Sequence, residues 1–307
     1  MRPTLDLMTA IAPSPASRAP VTAVGLVLVG LLCQEFGASF AVLLFPTVGP
    51  LGMVALRLAF SAILLMAIAR PRLRGYSRGD WLTLCGFAIA LAGMNALFYE
   101  ALARLPLGPT VTIEVLGPLI LSVVVSRRAS SWLWALLAFV GVVLLGWGGV
   151  DTLDPVGVLF AAGAGAGWVA YILLSARTGA RFPKLDGLAI AMTIGAAITL
   201  PFGIADAGAA LFSPGILALG AAVAVLSSAI PYALELFALR RLPASAFSIL
   251  MSLAPAMAAI VGAIVLHQQL TLLGWVAIAL VVVASAGAVH SASARARRRV
   301  GVGEPLA

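Results

Sequence analysis

The sequence predicts an all-α integral membrane protein of ten transmembrane helices, arranged as two inverted five-helix repeats. Three features predict this fold: an apolar composition, a motif that recurs along the chain, and an uneven placement of basic residues. Hydrophobic residues make up 62% of the 307 positions and charged residues 10%, with a mean hydropathy of +1.12. A water-soluble core cannot bury that much apolar surface, so a soluble globular protein is excluded.

Ten apolar segments approach the length of about 20 residues that a helix needs to cross a bilayer. Charged residues and Pro/Gly clusters separate them. The predicted spans are residues 22–45, 51–69, 81–102, 108–125, 131–149, 156–175, 186–204, 215–237, 244–265 and 271–290. Residues 1–20 are rich in Pro, Ser and Ala and lack the apolar stretch of a signal peptide, so they are predicted to be a disordered tail. Residues 291–307 are predicted to be a basic tail at the other end.

Basic residues indicate which side of the membrane each gap between spans faces. Alternate gaps, counted from the N-terminus, hold 17 of the 19 Lys and Arg residues. The remaining gaps hold Arg104 together with Asp151, Asp154 and Asp206. Basic loops face the cytoplasm, and a wrong span count would disturb the alternation. The pattern therefore predicts ten spans with both termini cytoplasmic, and it accounts for the net charge of +8 without nucleic acid binding.

A duplicated motif divides the chain into two modules of five spans. Arg-Leu-Pro at 104–106 is followed by Pro118, and Arg-Leu-Pro at 241–243 is followed at the same distance by Pro255. An odd number of spans in each copy inverts the second copy relative to the first. Inverted halves around a central site are typical of secondary transporters, which open that site to each side in turn. The predicted modules are residues 21–150 and 151–290.

Pro118 and Pro255 fall near the middle of the fourth and ninth predicted spans. Proline removes a helical hydrogen bond, so both spans are expected to be interrupted near the bilayer midplane. Paired interruptions in the two halves indicate a substrate site and a gating role. The alternative is that each proline only sets the curvature of its helix.

Five ionisable residues lie within the predicted spans: Glu35, Arg57, Glu100, Glu114 and Glu235. A charge in hydrocarbon costs at least about 2.5 to 3.5 kcal/mol, so each needs a partner, a proton or a cavity. Our hypothesis is that Glu114 or Glu35 binds substrate and carries a coupling proton, with Arg57 in a structural or gating role. The alternative is a structural ion pair between Glu114 and Arg57, which are expected at similar depth. Glu100 and Arg104, one turn apart, predict a helix-end ion pair.

Uncharged polar side chains within the spans are further candidates for substrate binding. A small zwitterion could be hydrogen-bonded by Asn95, Tyr99, Tyr171, Tyr232 and Ser252, with Trp168 as the wall of a cavity. Each of the polar residues could instead hydrogen-bond a neighbouring helix.

Enzymatic chemistry has no support in the sequence. His267 and His290 are the only histidines and stand at span ends without metal-ligand spacing, and phosphate-loop and hydrolase motifs are absent. Cys33 and Cys85 lie in apolar spans and predict buried small side chains. No cofactor and no metal site are predicted.

The chain resembles the drug/metabolite transporter superfamily in its EamA-type branch, and within it the bacterial threonine/homoserine exporters. The resemblance is carried by Gly37-Ala38-Ser39, Phe45-Pro46, Ala55-Leu56-Arg57-Leu58, Gly93-Met94-Asn95, Leu97-Phe98-Tyr99, Pro106-Leu107-Gly108, Glu114, Gly117-Pro118-Leu119, Ser126-Arg127-Arg128, Gly163-Ala164-Gly165-Ala166, Trp168, Tyr171-Ile172-Leu173, Pro231-Tyr232, Leu234-Glu235 and Arg241-Leu242-Pro243. It implies proton-driven efflux of small amino acids across the inner membrane, through a cavity lined chiefly by spans one, three, four, six, eight and nine.

The chain departs from the pattern of that family at two places. Such proteins usually carry a Glu just before the ninth-span proline, where this chain has Ala254, and a Gly-Glu pair at the outer end of that span, where it has His267-Gln268. The second half therefore lacks two acids that the resemblance leads one to expect.

The sequence thus predicts an inner-membrane exporter of small polar metabolites, with neutral amino acids such as threonine or homoserine as substrates and protons as coupling ions. Its expected partners are the substrate and the lipid bilayer, with no nucleic acid, and the protein is expected to be a monomer or a homodimer. Two alternatives stay open at this point. One is a facilitative, channel-like pore, and the other is a membrane scaffold or lipid-handling protein that transports no solute.

Overall fold

The computed structural model describes residues 21–126, 129–145, 153–231, 234, 238 and 244–301. Regular structure within these residues is entirely helical. The predicted N-terminal tail and Tyr232 lie outside the described residues. The helices are α1 Val21–Ala69, α2 Arg78–Leu102, α3 Leu107–Glu114, α4 Leu116–Ser126, α5 Ala129–Leu144, α6 Pro155–Gly179, α7 Asp186–Ala207, α8 Pro214–Ala224, α9 Ala244–Met251, α10 Ala254–Val265 and α11 Leu272–Gly301.

Helix α1 consists of two helical arms, residues 21–48 and 50–69, joined at Gly49. Gly49 has φ 66° and ψ 168°, a backbone conformation that residues other than glycine rarely adopt. Pro46 and Pro50 flank it, and neither can donate the amide hydrogen bond that a continuous helix requires. The predicted gap between the first two spans therefore coincides with the kink.

The two arms of α1 run antiparallel, because both contact the same short stretch of chain. A Cβ at Gly37 would lie 2.7 Å from Ser227 Cβ, and a Cβ at Gly220 would lie 2.9 Å from Leu56 Cδ1. On one straight helix Gly37 and Leu56 would be about 28 Å apart, yet their partners are separated by seven residues, about 10 Å of helix. The chain therefore reverses direction at Gly49.

A side chain from a distant helix stabilises this reversal. The Leu51 amide donates a hydrogen bond of 3.1 Å to Asp206 Oδ2, near the end of α7. A Cβ at Gly49 would collide with the same carboxylate. Asp206 thus caps the first turn of the second arm of α1, where an anionic acceptor is favourable.

Within the described residues, five helices are long and apolar enough to cross a bilayer, namely those that begin at Thr22, Arg78, Pro155, Asp186 and Leu272. Shorter apolar helices cover residues 107–121, 132–144, 214–229 and 249–265. The predicted interruption of the fourth and ninth spans is confirmed, since each is divided into two helices. Helix α11 extends beyond the tenth predicted span into the predicted basic tail, as far as Gly301.

Small residues set the closest contacts between helices, as expected where backbones must approach within a membrane. Helix pairs that pack closely include the second arm of α1 with α7, α2 with α6, the first arm of α1 with Ser227 and Pro231 (which follow α8), α3 with α10, and α5 with α11. In terms of the predicted spans these pairs are two with seven, three with six, one with eight, four with nine and five with ten. If span one is exchanged with span six, span two with span seven, and so on through the two halves, the same pairs result.

Ion pairs join α2 and α6 near both ends. Asp80 Oδ1 lies 2.6 Å from Arg181 Nη1 at one end, and Arg104 Nε lies 3.9 Å from Asp154 Oδ2 at the other. The predicted pair of Glu100 with Arg104 is confirmed, at 2.5 Å. The α2–α6 pair is therefore held at its ends as well as along its length.

Candidate functional site

A cavity of about 250 Å³ lies between the helices, where the two halves of the chain meet. Its wall includes residues from both arms of α1, from α2, α3, α6 and α7, from residues 227–228, and from α9 and α10. Six of the residues singled out in the sequence line it: Glu35, Arg57, Asn95, Glu114, Trp168 and Tyr171. The spans implied by the family resemblance all contribute, and Arg57, Leu58 and Met192 add spans two and seven.

Among the described residues, the charged groups of the wall are Glu35, Arg57 and Glu114. Glu35 is 2% exposed, and it interacts electrostatically with both Glu114 and Arg57. Glu114 also interacts with Arg57. If both carboxylates are ionised, the group carries one excess negative charge. Because an uncompensated charge in the membrane is costly, the site favours binding of a proton or an ammonium group.

Tyr99 holds Arg57 in place. Arg57 Nη1 donates a hydrogen bond of 3.3 Å to Tyr99 Oη, and the guanidinium carbon lies 5.7 Å from the centre of the Tyr99 ring. Tyr99 is fully buried, and its ring packs against Phe45 and Phe98. Predicted as a substrate contact, Tyr99 lies behind Arg57 instead of on the cavity wall, where it supports the guanidinium by a hydrogen bond and a cation–π contact.

The first interrupted span presents Glu114 to the cavity. Helix α3 ends at Glu114, and α4 begins at Leu116. Pro118 has no N–H, so it cannot donate to the carbonyl of Glu114 four residues before it. The interruption therefore falls just before the proline, as its chemistry requires, and places the carboxyl-bearing residue at a helix end.

Helix α6 packs directly against this interruption through glycine. A Cβ at Gly165 would lie 2.7 Å from the Glu114 carbonyl oxygen, and a Cβ at Gly117 would collide with the Gly165 backbone. Trp168 and Tyr171 follow Gly165 at intervals of three residues, so all three share one helix face. This glycine-mediated packing of α6 brings the two aromatic residues to the cavity.

The second interrupted span is also broken just before a proline, but no acidic residue stands at the break. Helix α9 ends at Met251, α10 begins at Ala254, and Pro255 lies in the first turn of α10. Met251 and Ala254 line the cavity, whereas Ser252 is buried beside them and is not part of the wall. Pro118 and Pro255 also lie off the wall, so any influence they have on the site acts through the backbone.

Several residues of the wall were not singled out as candidates from the sequence. All of them are uncharged: Gln34, Ala38, Leu58, Leu91, Met94, Phe98, Val111, Met192, Ser227, Ser228, Met251 and Ala254. Gln34 could have been found as the polar neighbour of Glu35 in an apolar span. The side-chain amide of the predicted residue Asn95 donates to the Leu91 carbonyl at 2.8 Å, which leaves its oxygen as an acceptor.

The ends of α3 and α10 remote from the interruptions are joined by Gln268. The Leu107 amide, the first of α3, donates a hydrogen bond of 2.9 Å to Gln268 Oε1. Pro106, which precedes α3, provides no side-chain cap. Gln268 is the residue that stands where the family usually has Glu, and its amide oxygen supplies the acceptor that a carboxylate would supply.

Comparison with known proteins identifies the chain as a transporter. The sequence profile of the EamA-like transporter family matches residues 155–289. The threonine/homoserine exporter RhtA of Salmonella typhimurium is 41% identical over 262 residues, covering 85% of this chain and 88% of the relative. The protein of the same name from Escherichia coli K12 is 40% identical over 264 residues, covering 85% and 89%. The chain belongs to the EamA-like transporter family.

The fold is also found in a solved structure. A crystal structure that is 22% identical in sequence superposes with a TM-score of 0.58, covering 89% of this chain and 98% of the other. The family resemblance drawn from the sequence motifs is confirmed, and the chain is a multi-pass bacterial membrane transporter protein with a small-molecule substrate.

Proposed function

We propose that this protein exports hydroxylated neutral amino acids, threonine and homoserine among them, from the cytoplasm across the bacterial inner membrane. The observation that carries the proposal is the central cavity with Glu35, Arg57 and Glu114 on its wall. The relatives named as threonine/homoserine exporters, 40–41% identical over 85% of the chain, supply the substrate class.

The charged groups of the cavity match a zwitterion. Arg57, held by Tyr99, would bind the substrate carboxylate, for which a guanidinium is well suited. Glu35 and Glu114 would bind the ammonium group. A cavity of about 250 Å³ is small compared with the roughly 300 to 1,000 Å³ typical of pockets for drug-sized ligands, which favours a solute of amino-acid size.

Alternating access would follow from two inverted repeats, residues 21–150 and 151–290. The helix pairs described above support this, because their pattern is unchanged when the halves are exchanged. Both halves also have a span interrupted next to the cavity, after Glu114 and after Met251. Such interruptions are positions at which a helix can change direction while the rest of the bundle keeps its packing.

Proton coupling would follow from the single excess negative charge of the cavity. A proton neutralises that charge by binding Glu35 or Glu114, and it thereby removes a carboxylate that would otherwise bind the substrate ammonium group, so proton and substrate compete. A site that binds one or the other in turn exchanges substrate for protons, and an inward proton gradient then drives efflux. We therefore propose antiport, with both termini in the cytoplasm.

Transport can be tested in cells and in proteoliposomes. Cells that express the protein should grow at threonine and homoserine concentrations that inhibit control cells. Purified protein in proteoliposomes should move labelled threonine with saturable kinetics, faster when a pH gradient is imposed. A flux that neither saturates nor responds to the gradient would indicate a pore, and no flux from folded protein would indicate a non-transporting membrane protein.

A further inference from the structure

A π-helical turn forms part of the cavity wall. Residues Val225–Ala229 continue from α8, and the Ile230 amide donates to the Val225 carbonyl, five residues back. π-Turns are rare and occur frequently at functional sites. The turn holds Ser227 and Ser228, and both line the cavity. Successive residues of an α-helix point about 100° apart, and the wider π-turn brings the two hydroxyls closer to one face.

The two serines differ in their hydrogen bonding. Ser227 Oγ donates to the Val223 carbonyl at 2.7 Å, and its Cβ packs against Gly37 of α1. Its hydroxyl hydrogen is therefore engaged, and its oxygen can only accept from a ligand. The Ser228 hydroxyl makes no hydrogen bond to another described residue, although Ser228 is only 6% exposed. It can both donate to and accept from a group in the cavity.

Threonine and homoserine share a side-chain hydroxyl, but at different distances from the α-carbon. A single fixed partner would suit one of them and miss the other. Two adjacent hydroxyls, one of them free to rotate, can reach both positions. The charged residues of the wall are matched by the ammonium and carboxylate groups of the substrate, and the serine pair is among the uncharged polar groups left to face its side chain.

We propose that the Ser227–Ser228 pair recognises the side-chain hydroxyl of the transported amino acid, with Ser228 as the specificity-determining residue. This inference rests on the proposed export of hydroxylated amino acids. Removing a hydroxyl from a ligand that a buried polar group is built to bind leaves that group unpaired, which costs affinity.

The test uses 2-aminobutyrate, which is the hydroxyl-free counterpart of both threonine and homoserine. Inhibition of labelled threonine transport by each of the three unlabelled amino acids is measured in proteoliposomes. Wild-type protein should bind threonine and homoserine at least about tenfold more tightly than 2-aminobutyrate, which corresponds to one hydrogen bond of about 1.4 kcal/mol. S228A should reduce that ratio to about twofold or less, while the inhibition constant for 2-aminobutyrate stays within about twofold.

The matched control is S285A. Ser285 is a buried serine of α11 outside the cavity wall, so its removal should leave the ratio unchanged. If S228A is not recovered as folded protein, Ser228→Gly removes the same hydroxyl and takes its place.

The outcomes separate the two proposals. An S228A protein that keeps the wild-type ratio, or an S285A protein that loses it equally, overturns the role of Ser228. Wild-type protein that transports threonine but does not distinguish it from 2-aminobutyrate overturns the serine proposal alone. Folded wild-type protein that transports no hydroxylated amino acid overturns the proposed function, and the inference with it.

Discussion

The two interrupted spans have the same backbone arrangement, but they present different side chains to the cavity. Each breaks just before a proline, after Glu114 in the first half and after Met251 in the second. Glu114 brings a carboxyl group to the cavity, whereas Met251 at the corresponding position brings a thioether. At the next pair of matching positions, Gly117 packs on the Gly165 backbone while Ala254 lines the cavity. Both copies of the duplicated motif have the interruption, but only the first copy has an ionisable residue there.

The largest expected effect comes from removing the acid of the first interruption. E114Q should lower the rate of threonine transport by about 100-fold, close to 2.7 kcal/mol, and abolish its response to a pH gradient, because the charges of Glu35 and Arg57 then cancel and no excess negative charge remains to bind a proton. The measurement is the initial rate in proteoliposomes with and without the gradient.

M251Q is the matched change in the second half. It introduces the same amide at the corresponding position, and the response to the gradient should persist even if the rate falls. Equal loss of the response in both variants would mean that the asymmetry between the two spans has no part in coupling.

The next effect concerns packing at the two interruptions. G117A should destabilise the protein by about 1 to 3 kcal/mol, because the added methyl group overlaps the Gly165 backbone, which has no side chain that can move aside. A254G removes a methyl group beside a cavity and should cost less than about 1 kcal/mol. Thermal unfolding of the purified proteins in detergent measures both. Equal losses of stability would show that the two interruptions are packed alike.

The smallest effect is expected at Gln268, which caps α3 from the opposite half. Q268A should destabilise by about 1 kcal/mol, since the buried Leu107 amide loses its acceptor. Q268E restores a carboxylate acceptor next to a helix N-terminus and should keep wild-type stability. Thermal unfolding again provides the measurement, and an unchanged melting temperature for Q268A would indicate that this cap contributes nothing.

The charged part of the cavity could be predicted from the sequence. Glu35, Arg57 and Glu114 stand out because a charge in an apolar span is costly and needs a reason. The predicted similar depth of Arg57 and Glu114 also agrees with their presence on one wall. Because a charge in an apolar span is so costly, its presence in a single sequence is enough to identify the residue as a candidate for the site.

The uncharged part of the cavity could not be predicted in the same way. Ser227 and Ser228 resemble many other serines in the spans, and their placement depends on a π-turn that no local pattern signals. Tyr99 was predicted to hydrogen-bond the substrate but lies behind Arg57, because helix periodicity gives the face on which a residue lies and not the neighbour that this face meets. Long-range contacts such as Leu107 with Gln268 depend on which helices pack together.

The cap that Asp206 places on the turn at Gly49 has a consequence for how the chain is made. The hydrogen bond joins residues 155 positions apart, so it cannot form until α7 has left the ribosome. At roughly 5 to 20 residues per second, that delay is about 8 to 30 s. During this interval the first two membrane segments must hold their hairpin with an uncapped helix end, and the arrival of α7 completes it.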